Sequence, residues 1–187
     1  MAGSRRLRAA STAVAVTMLA ACEYARLLRP NALKQLTPEM VALVNELPEV
    51  DHQNEAIVGR LFAHGGLTRA RVGADGVMHA AIAVPENEYI WKPAIVVMPR
   101  GGRIHLDISN EDTAHHMAFL PNKGERHLLD LPPKTRGRAT LELDQPGLYW
   151  FGCPVSNHAG RGMLGLVIVK GTVDEEARLD RPRQKRP

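Results

Sequence analysis

The sequence predicts an all-β protein, a Greek-key β-sandwich or barrel of about seven to eight strands, with a helical extension before it. The hydrophobic period changes from helical to alternating at Gly76. From there on, Gly, Pro, Asn and Asp separate short apolar segments, which is typical of antiparallel strands and their turns. A chain of 187 residues is also long enough for one principal domain with its own hydrophobic core.

The first residues read as an export signal. Residues 1–8 carry three Arg, and residues 9–21 form an apolar stretch too short to span a bilayer as a stable helix. The stretch ends in Leu-Ala-Ala-Cys22, which resembles the lipobox of bacterial lipoproteins. That resemblance implies cleavage before Cys22, a lipid on its thiol, and a membrane-anchored protein in the periplasm or on the cell surface. The alternative is an ordinary signal peptide with an incidental Cys.

The net charge offers no support for nucleic acid binding. The formal charge is +4, but residues 1–21 contain three Arg and no acidic residue. Without them the chain carries 21 basic and 20 acidic residues, close to balance. Aromatic residues make up only 4% of the sequence, too few for a base-stacking platform.

Two helices are expected ahead of the strands. Thr37 as N-cap and Pro38 at the first position predict a helix start, and Pro48 ends that helix. Residues 51–62 place apolar side chains on one face, and His64-Gly65-Gly66 follows as a plausible C-cap region.

Seven later segments alternate or cluster apolar residues as strands do. In the third segment, Ile104, Leu106 and Ile108 alternate with polar residues, which predicts a strand with one solvent-exposed face. The predicted strands are 77–84, 88–98, 102–109, 114–120, 138–143, 147–153 and 164–170.

The loop between the last two predicted strands holds three candidate metal ligands. Cys153, His158 and Met163 are separated by four residues each. Thiolate, imidazole and thioether on one tight loop suit copper best, with two His and one Cys in a plane and a weak axial Met. The other interpretation is a buried Cys, a loop His and a Met that fills the core, but three such residues at this spacing favour a metal. Zinc is disfavoured by the Met and by the single Cys.

A second His ligand has to come from another part of the chain. The strand-like run 113–121 contains His115 and His116, and either could supply the imidazole.

Cys-x4-His-x4-Met after an aromatic strand, with a His some forty residues upstream, resembles the cupredoxins, the type 1 blue copper proteins. The resemblance covers residues 77–170, about half of the chain. It implies a cupredoxin β-sandwich with one type 1 copper per chain. It also implies that His116, Cys153, His158 and axial Met163 are the ligands. His116 is preferred to His115 because the run from His116 to Pro121 resembles subunit II of haem–copper oxidases, where the ligand His stands five residues before a Pro.

The same resemblance implies a function in electron transfer rather than catalysis. Pro154 stands where multicopper oxidases have a second His, so no trinuclear cluster is expected. Electrons are expected to pass at an exposed edge of His158, inside an apolar patch with Arg161 on its rim, where a redox protein donor and acceptor dock. Asn110 is a candidate partner of the ligand residues. The alternative function is a periplasmic copper carrier or storage protein.

These interpretations divide the chain into five parts: a lipoprotein signal peptide at 1–21, a tether at 22–36, a helical extension at 37–75, a cupredoxin domain at 76–172 and a basic tail at 173–187.

Overall fold

The computed structural model describes Pro38 and residues 52–172. Within this part of the chain one α-helix is followed by ten strands and a short 3-10 helix, Ala159–Arg161. The elements are α1 (His52–Gly65), β1 (Leu67–Arg69), β2 (Arg71–Val72), β3 (Met78–Val84), β4 (Ile95–Met98), β5 (Gly102–Asn110), β6 (His116–Leu120), β7 (His127–Leu131), β8 (Arg136–Leu143), β9 (Gly147–Gly152) and β10 (Leu164–Val169).

The strands form two sheets, so the predicted all-β sandwich is confirmed. One sheet has six strands in the order β1-β4-β10-β9-β6-β7, and the other has four in the order β2-β3-β5-β8. β4 runs parallel to β1 and β10, and β3 runs parallel to β5, while the other strand pairs are antiparallel. Strands that are distant in sequence are therefore neighbours in both sheets.

One hydrophobic core lies between the sheets. On β5, Ile104, Leu106 and Ile108 are buried and alternate with more exposed residues, as the sequence predicted. Every residue of β4 is buried, and so are five of the six residues of β10. Such continuous apolar runs are typical of strands in the middle of a sheet.

Helix α1 agrees closely with the second predicted helix. It ends at Gly65, and Gly66 follows at φ 72 with its amide directed to the carbonyls of Leu61 and Phe62, both at 3.1 Å. Glycine adopts this left-handed conformation without the cost that a β-carbon imposes, which makes it a common helix terminator. Val58, Leu61 and Phe62 are buried in the core cluster, so the helix packs on the sandwich.

Three strands were not predicted, and one predicted strand is less than half as long as expected. β1 and β2 lie before residue 76, inside the segment assigned to the helical extension, and β7 lies in a predicted loop. Only residues 95–98 of the expected strand 88–98 are a strand. Pro93 has no amide hydrogen to donate to a neighbouring strand. The segment 85–94 is instead a connection between β3 and β4, which contacts the site described below.

The signal peptide, the tether, the first predicted helix apart from Pro38, and the basic tail lie outside the described residues. No helix in the described part is long and apolar enough to cross a membrane.

Candidate metal centre

The loop that joins β9 to β10 is folded back on itself, which brings its ends together. The amide of Cys153 donates to the carbonyl of Met163 at 3.2 Å, and the amide of Met163 donates to the carbonyl of His158 at 3.0 Å. Gly162 turns the chain at φ 104, a conformation that residues with a β-carbon rarely adopt. The backbones of three residues that are separated by four residues each in the sequence are thereby held together.

A third strand brings His116 to this loop. β6 begins at His116 and is paired with β9 through Phe119 and Gly152, so its first residues run beside Cys153. The Cys153 Sγ atom lies 3.4 Å from Nδ1 of His158 and 3.9 Å from Nδ1 of His116. The potential ligand atoms of these three residues all lie within 4.8 Å of one another. In the described part of the chain, no other group of three His, Cys, Asp or Glu residues is drawn together in this way.

The cluster is well suited to a trigonal metal site. Three ligand atoms about 2 Å from one ion and about 120° apart lie about 3.5 Å from each other. The two measured separations bracket that value. His116 and Cys153 are fully buried and His158 is 8% exposed, so the three side chains are withdrawn from water. One thiolate and two imidazoles form the donor set that is typical of type 1 copper, and His116, Cys153 and His158 would hold such an ion.

The backbone of Met163 is hydrogen-bonded to two residues of this cluster, Cys153 and His158. The Met163 side chain is fully buried. The buried indole of Trp91 donates from Nε1 to the carbonyl of Met163 at 3.3 Å and packs against Phe151. These contacts fix the backbone from which the thioether extends.

A buried carboxylate orients the His116 ring. Oδ2 of Asp112 lies 3.1 Å from Nε2 of His116, and Asp112 is only 3% exposed. Nδ1 of His116 is therefore the nitrogen that faces Cys153. Burial alone would raise the pKa of Asp112, but hydrogen bonds from His116 and from the backbone amides of Asn87 and Thr113 lower the pKa to about 2. A carboxylate on the far nitrogen is a common way to fix the tautomer of a metal-binding His.

Asn110 holds the loop that carries this carboxylate. Its amide nitrogen donates to the carbonyls of Ala114, Leu131 and Pro132 at 2.9, 2.9 and 3.0 Å. Its side-chain oxygen accepts the amide of Asp112 at 3.0 Å. The residue is 1% exposed and connects the end of β5, the loop before β6 and the end of β7. The sequence analysis named Asn110 as a candidate partner of the ligand residues. In the structure Asn110 bonds to the backbone of Asp112, and Asp112 in turn contacts His116.

The protein environment favours the neutral, metal-binding form of His158. The amide of Met117 points to the Cys153 sulfur at 3.5 Å. Burial lowers the pKa of His158, and the neighbouring His116 and Arg161 lower it further. A metal binds neutral imidazole, so a lowered pKa reduces competition by protons.

The structure distinguishes between the two candidate histidines, because only His116 faces Cys153. His115 points away from the cluster, with about half of its side chain exposed, and its Nε2 lies 2.5 Å from Asp130. Adjacent residues of a strand face opposite sides, which explains why only His116 reaches Cys153.

His158 was expected to expose one edge of its ring to solvent, but in the structure this residue is buried. The ring of Tyr89 lies over it, with 4.7 Å between the two ring centroids, and leaves His158 nearly buried. Met163 is buried as well, so it adds nothing to a surface patch. Arg161 is exposed, as expected for a residue on the rim of the site.

Sequence reasoning missed three residues around the cluster: Asp112, Tyr89 and Trp91. Asp112 stands four residues before His116, a spacing that suggests a partner only once the path of the loop is known. Tyr89 and Trp91 lie on the β3–β4 connection, far from every ligand in sequence. No local pattern could have linked them to the site.

The described part of the molecule is thus a two-sheet β-sandwich with a buried His-Cys-His cluster at one end. A family model described as PQQ-associated matches residues 35–187, and the chain belongs to this family. No curated protein matches the chain.

Several solved structures resemble it weakly. Reduced auracyanin from Roseiflexus castenholzii is 17% identical, with a TM-score of 0.46, over 50% of this chain and 97% of that one. The metal-binding domain of the Streptococcus pneumoniae Cu(I)-exporting ATPase CopA is 13% identical, with a TM-score of 0.46, over 56% and 96% of the two chains. A multicopper oxidase is 14% identical, with a TM-score of 0.44, over 56% of this chain and 47% of that one.

Proposed function

We propose that the protein is a single-copper electron-transfer protein. The observation that supports this most directly is the buried cluster of His116, Cys153 and His158, with separations that suit a trigonal site. Met163 would add a weak fourth ligand. Copper, when bound, supplies a one-electron Cu(II)/Cu(I) couple.

The protein's part is to keep the ligands still while the charge of the site changes. Asp112 and Asn110 fix His116, and the hydrogen-bonded loop fixes Cys153, His158 and Met163. A ligand set that cannot rearrange lowers the structural cost of gaining or losing an electron. Burial also favours this function over copper carriage, because a carrier has to expose its ligands to pass the metal on.

The visible spectrum and the electrochemistry of the purified protein test the proposal. With one equivalent of Cu(II), we expect an intense visible band from thiolate-to-copper charge transfer, bleached by reductant, and a reversible one-electron couple. Zn(II) serves as the control metal and gives neither signal. A colourless Cu(II) protein, or rapid loss of copper to a chelator, would instead favour the carrier function.

The partners and the location are further parts of the proposal. The family description, PQQ-associated, suggests a PQQ-containing dehydrogenase as the electron donor, and a single-copper protein would accept the two electrons of reduced PQQ one at a time, in two successive encounters. The lipobox-like sequence supports export and anchoring through Cys22. Mass spectrometry of the N-terminal peptide tests the anchor, since an unmodified Cys22 or an intact leader in the membrane-bound protein would contradict it.

Asp112→Asn is expected to raise the reduction potential by on the order of 100 mV. The substitution keeps the shape of the side chain but removes a buried negative charge beside His116. That charge stabilises the oxidised site, which is the more positive of the two states, so its loss favours reduction. A unit charge roughly 7 Å away at an effective dielectric constant of about 20 contributes about 2 kcal/mol, which corresponds to this potential shift.

Potentiometric titration measures the shift, and Asp130→Asn is the matched control because Asp130 pairs with the exposed His115. Equal potentials in the wild type and Asp112→Asn would show that the carboxylate does not act on the site.

A further inference from the structure

The cluster is covered by one aromatic side chain. Tyr89, on the β3–β4 connection, packs its ring 4.7 Å from the ring of His158 and 6.1 Å from that of His116, measured between centroids. Tyr89 itself is half-buried, so one part of it touches the imidazoles and another part reaches solvent. Anything that approaches His158 from this side meets Tyr89 first.

A positive charge lies on the solvent side of this ring. The guanidinium carbon of Arg161 is 5.0 Å from the centroid of Tyr89, a cation–π arrangement. Arg161 is exposed, and it is the only Lys, Arg, Asp or Glu between Cys153 and Met163. Among the described residues, no carboxylate lies within ion-pair distance of it.

The other charges near Tyr89 are neutralised by partners. Glu88 pairs with Lys92 at 2.7 Å, and Glu86 pairs with Lys134 at 3.2 Å. The surface over the cluster therefore has an aromatic centre and a positive rim. This is the complement of an acidic surface.

On the basis of the proposed electron-transfer function, we propose that Tyr89 and Arg161 form the contact face for an anionic redox partner. One electron passes between the site and the partner across the Tyr89 ring, which remains a neutral phenol throughout. When the partner is the oxidant, the site is oxidised by one electron and the partner is reduced by one. Arg161 attracts and orients the partner, as rim charges mainly change the association rate.

The test compares two oxidants of opposite charge acting on the reduced, copper-loaded protein. Ferricyanide is the anionic probe, and tris(phenanthroline)cobalt(III) is the cationic one. Arg161→Gln is expected to slow oxidation by ferricyanide about fivefold at low ionic strength. It is expected to leave the cationic probe unaffected or slightly faster. Added salt should reduce the difference, because the Debye length falls to about 10 Å at 0.1 M.

The matched control is Arg100→Gln. Arg100 is also exposed, but it follows β4 at the end of the sheet away from the cluster. The control removes the same charge without changing the proposed contact face. If Arg161→Gln slows ferricyanide no more than Arg100→Gln does, the proposal is overturned.

Tyr89 variants test whether the ring and the charge act together. In a Tyr89→Ala background, Arg161→Gln should slow oxidation by ferricyanide only about twofold or less, because the guanidinium no longer has the aromatic ring against which it packs. Tyr89→Phe keeps the ring and should preserve the full effect. An undiminished Arg161 effect without the ring would contradict a joint face.

Failure of this inference is separate from failure of the proposed function. A wild-type protein without the visible band or the reversible couple would contradict the copper electron-transfer function itself. A normal band and couple, together with no specific effect of Arg161, would contradict only the contact face.

Discussion

Replacing Cys153 with serine is expected to abolish the visible charge-transfer band and to weaken Cu(I) binding by more than about a hundredfold. The band requires a thiolate, and a hydroxyl neither ionises at neutral pH nor matches the preference of Cu(I) for soft ligands. Loss of outer hydrogen-bond partners alone costs metal sites about 10- to 100-fold in affinity, so loss of a ligand should cost more. Absorption spectroscopy and competition with a Cu(I) chelator measure the two effects.

Met163→Leu is the control for this prediction. Leucine keeps the buried volume but removes the thioether, and an axial ligand is weak and long in such sites. We therefore expect the Leu variant to keep an intense band while its potential shifts. A Cys153→Ser protein with the same band as the wild type would exclude Cys153 as the ligand.

Asn110→Ala is expected to lower the free energy of unfolding by about 3 kcal/mol. The substitution removes the side-chain hydrogen-bond partner of three carbonyls and one amide in a site that is almost fully buried. The carbonyl of Pro132 keeps its hydrogen bonds from Thr135, so the loss falls mainly on the carbonyls of Ala114 and Leu131 and the amide of Asp112. Each buried polar group left unsatisfied costs about 1–3 kcal/mol, and local relaxation recovers part of the sum. Urea denaturation of the metal-free protein measures the change without a contribution from metal binding.

Asn122→Ala is the comparison that isolates this effect. The Asn122 side chain accepts a single hydrogen bond, from the amide of Glu142 at 2.7 Å, and it is only partly buried. Its loss is expected to cost about 1 kcal/mol. If the two variants unfold at the same urea concentration, Asn110 does not connect the three segments as we infer.

Much of the sandwich could be predicted because its strands carry their pattern locally. The alternation of β5 and the apolar run of β10 are visible in a few neighbouring residues. β7 was missed because only its last residue is buried, so its sequence lacks a clear apolar face. β1 and β2 are too short to show any period, and they exist because longer strands pair with them.

The candidate metal site also has one part that the sequence predicts and another that depends on the fold. The spacing of Cys153, His158 and Met163 is a local property of one loop, so the sequence alone predicts that these residues lie close to one another. That His116 and not His115 faces Cys153 follows only from the fold, since it depends on which side of β6 faces the sandwich interior. The tertiary structure also brings Asp112 to His116 and Tyr89 to His158. Tyr89 and His158 belong to distant segments that approach only when the two sheets have formed. Asp112 and His116 are four residues apart, but their contact depends on the path of the loop that Asn110 holds.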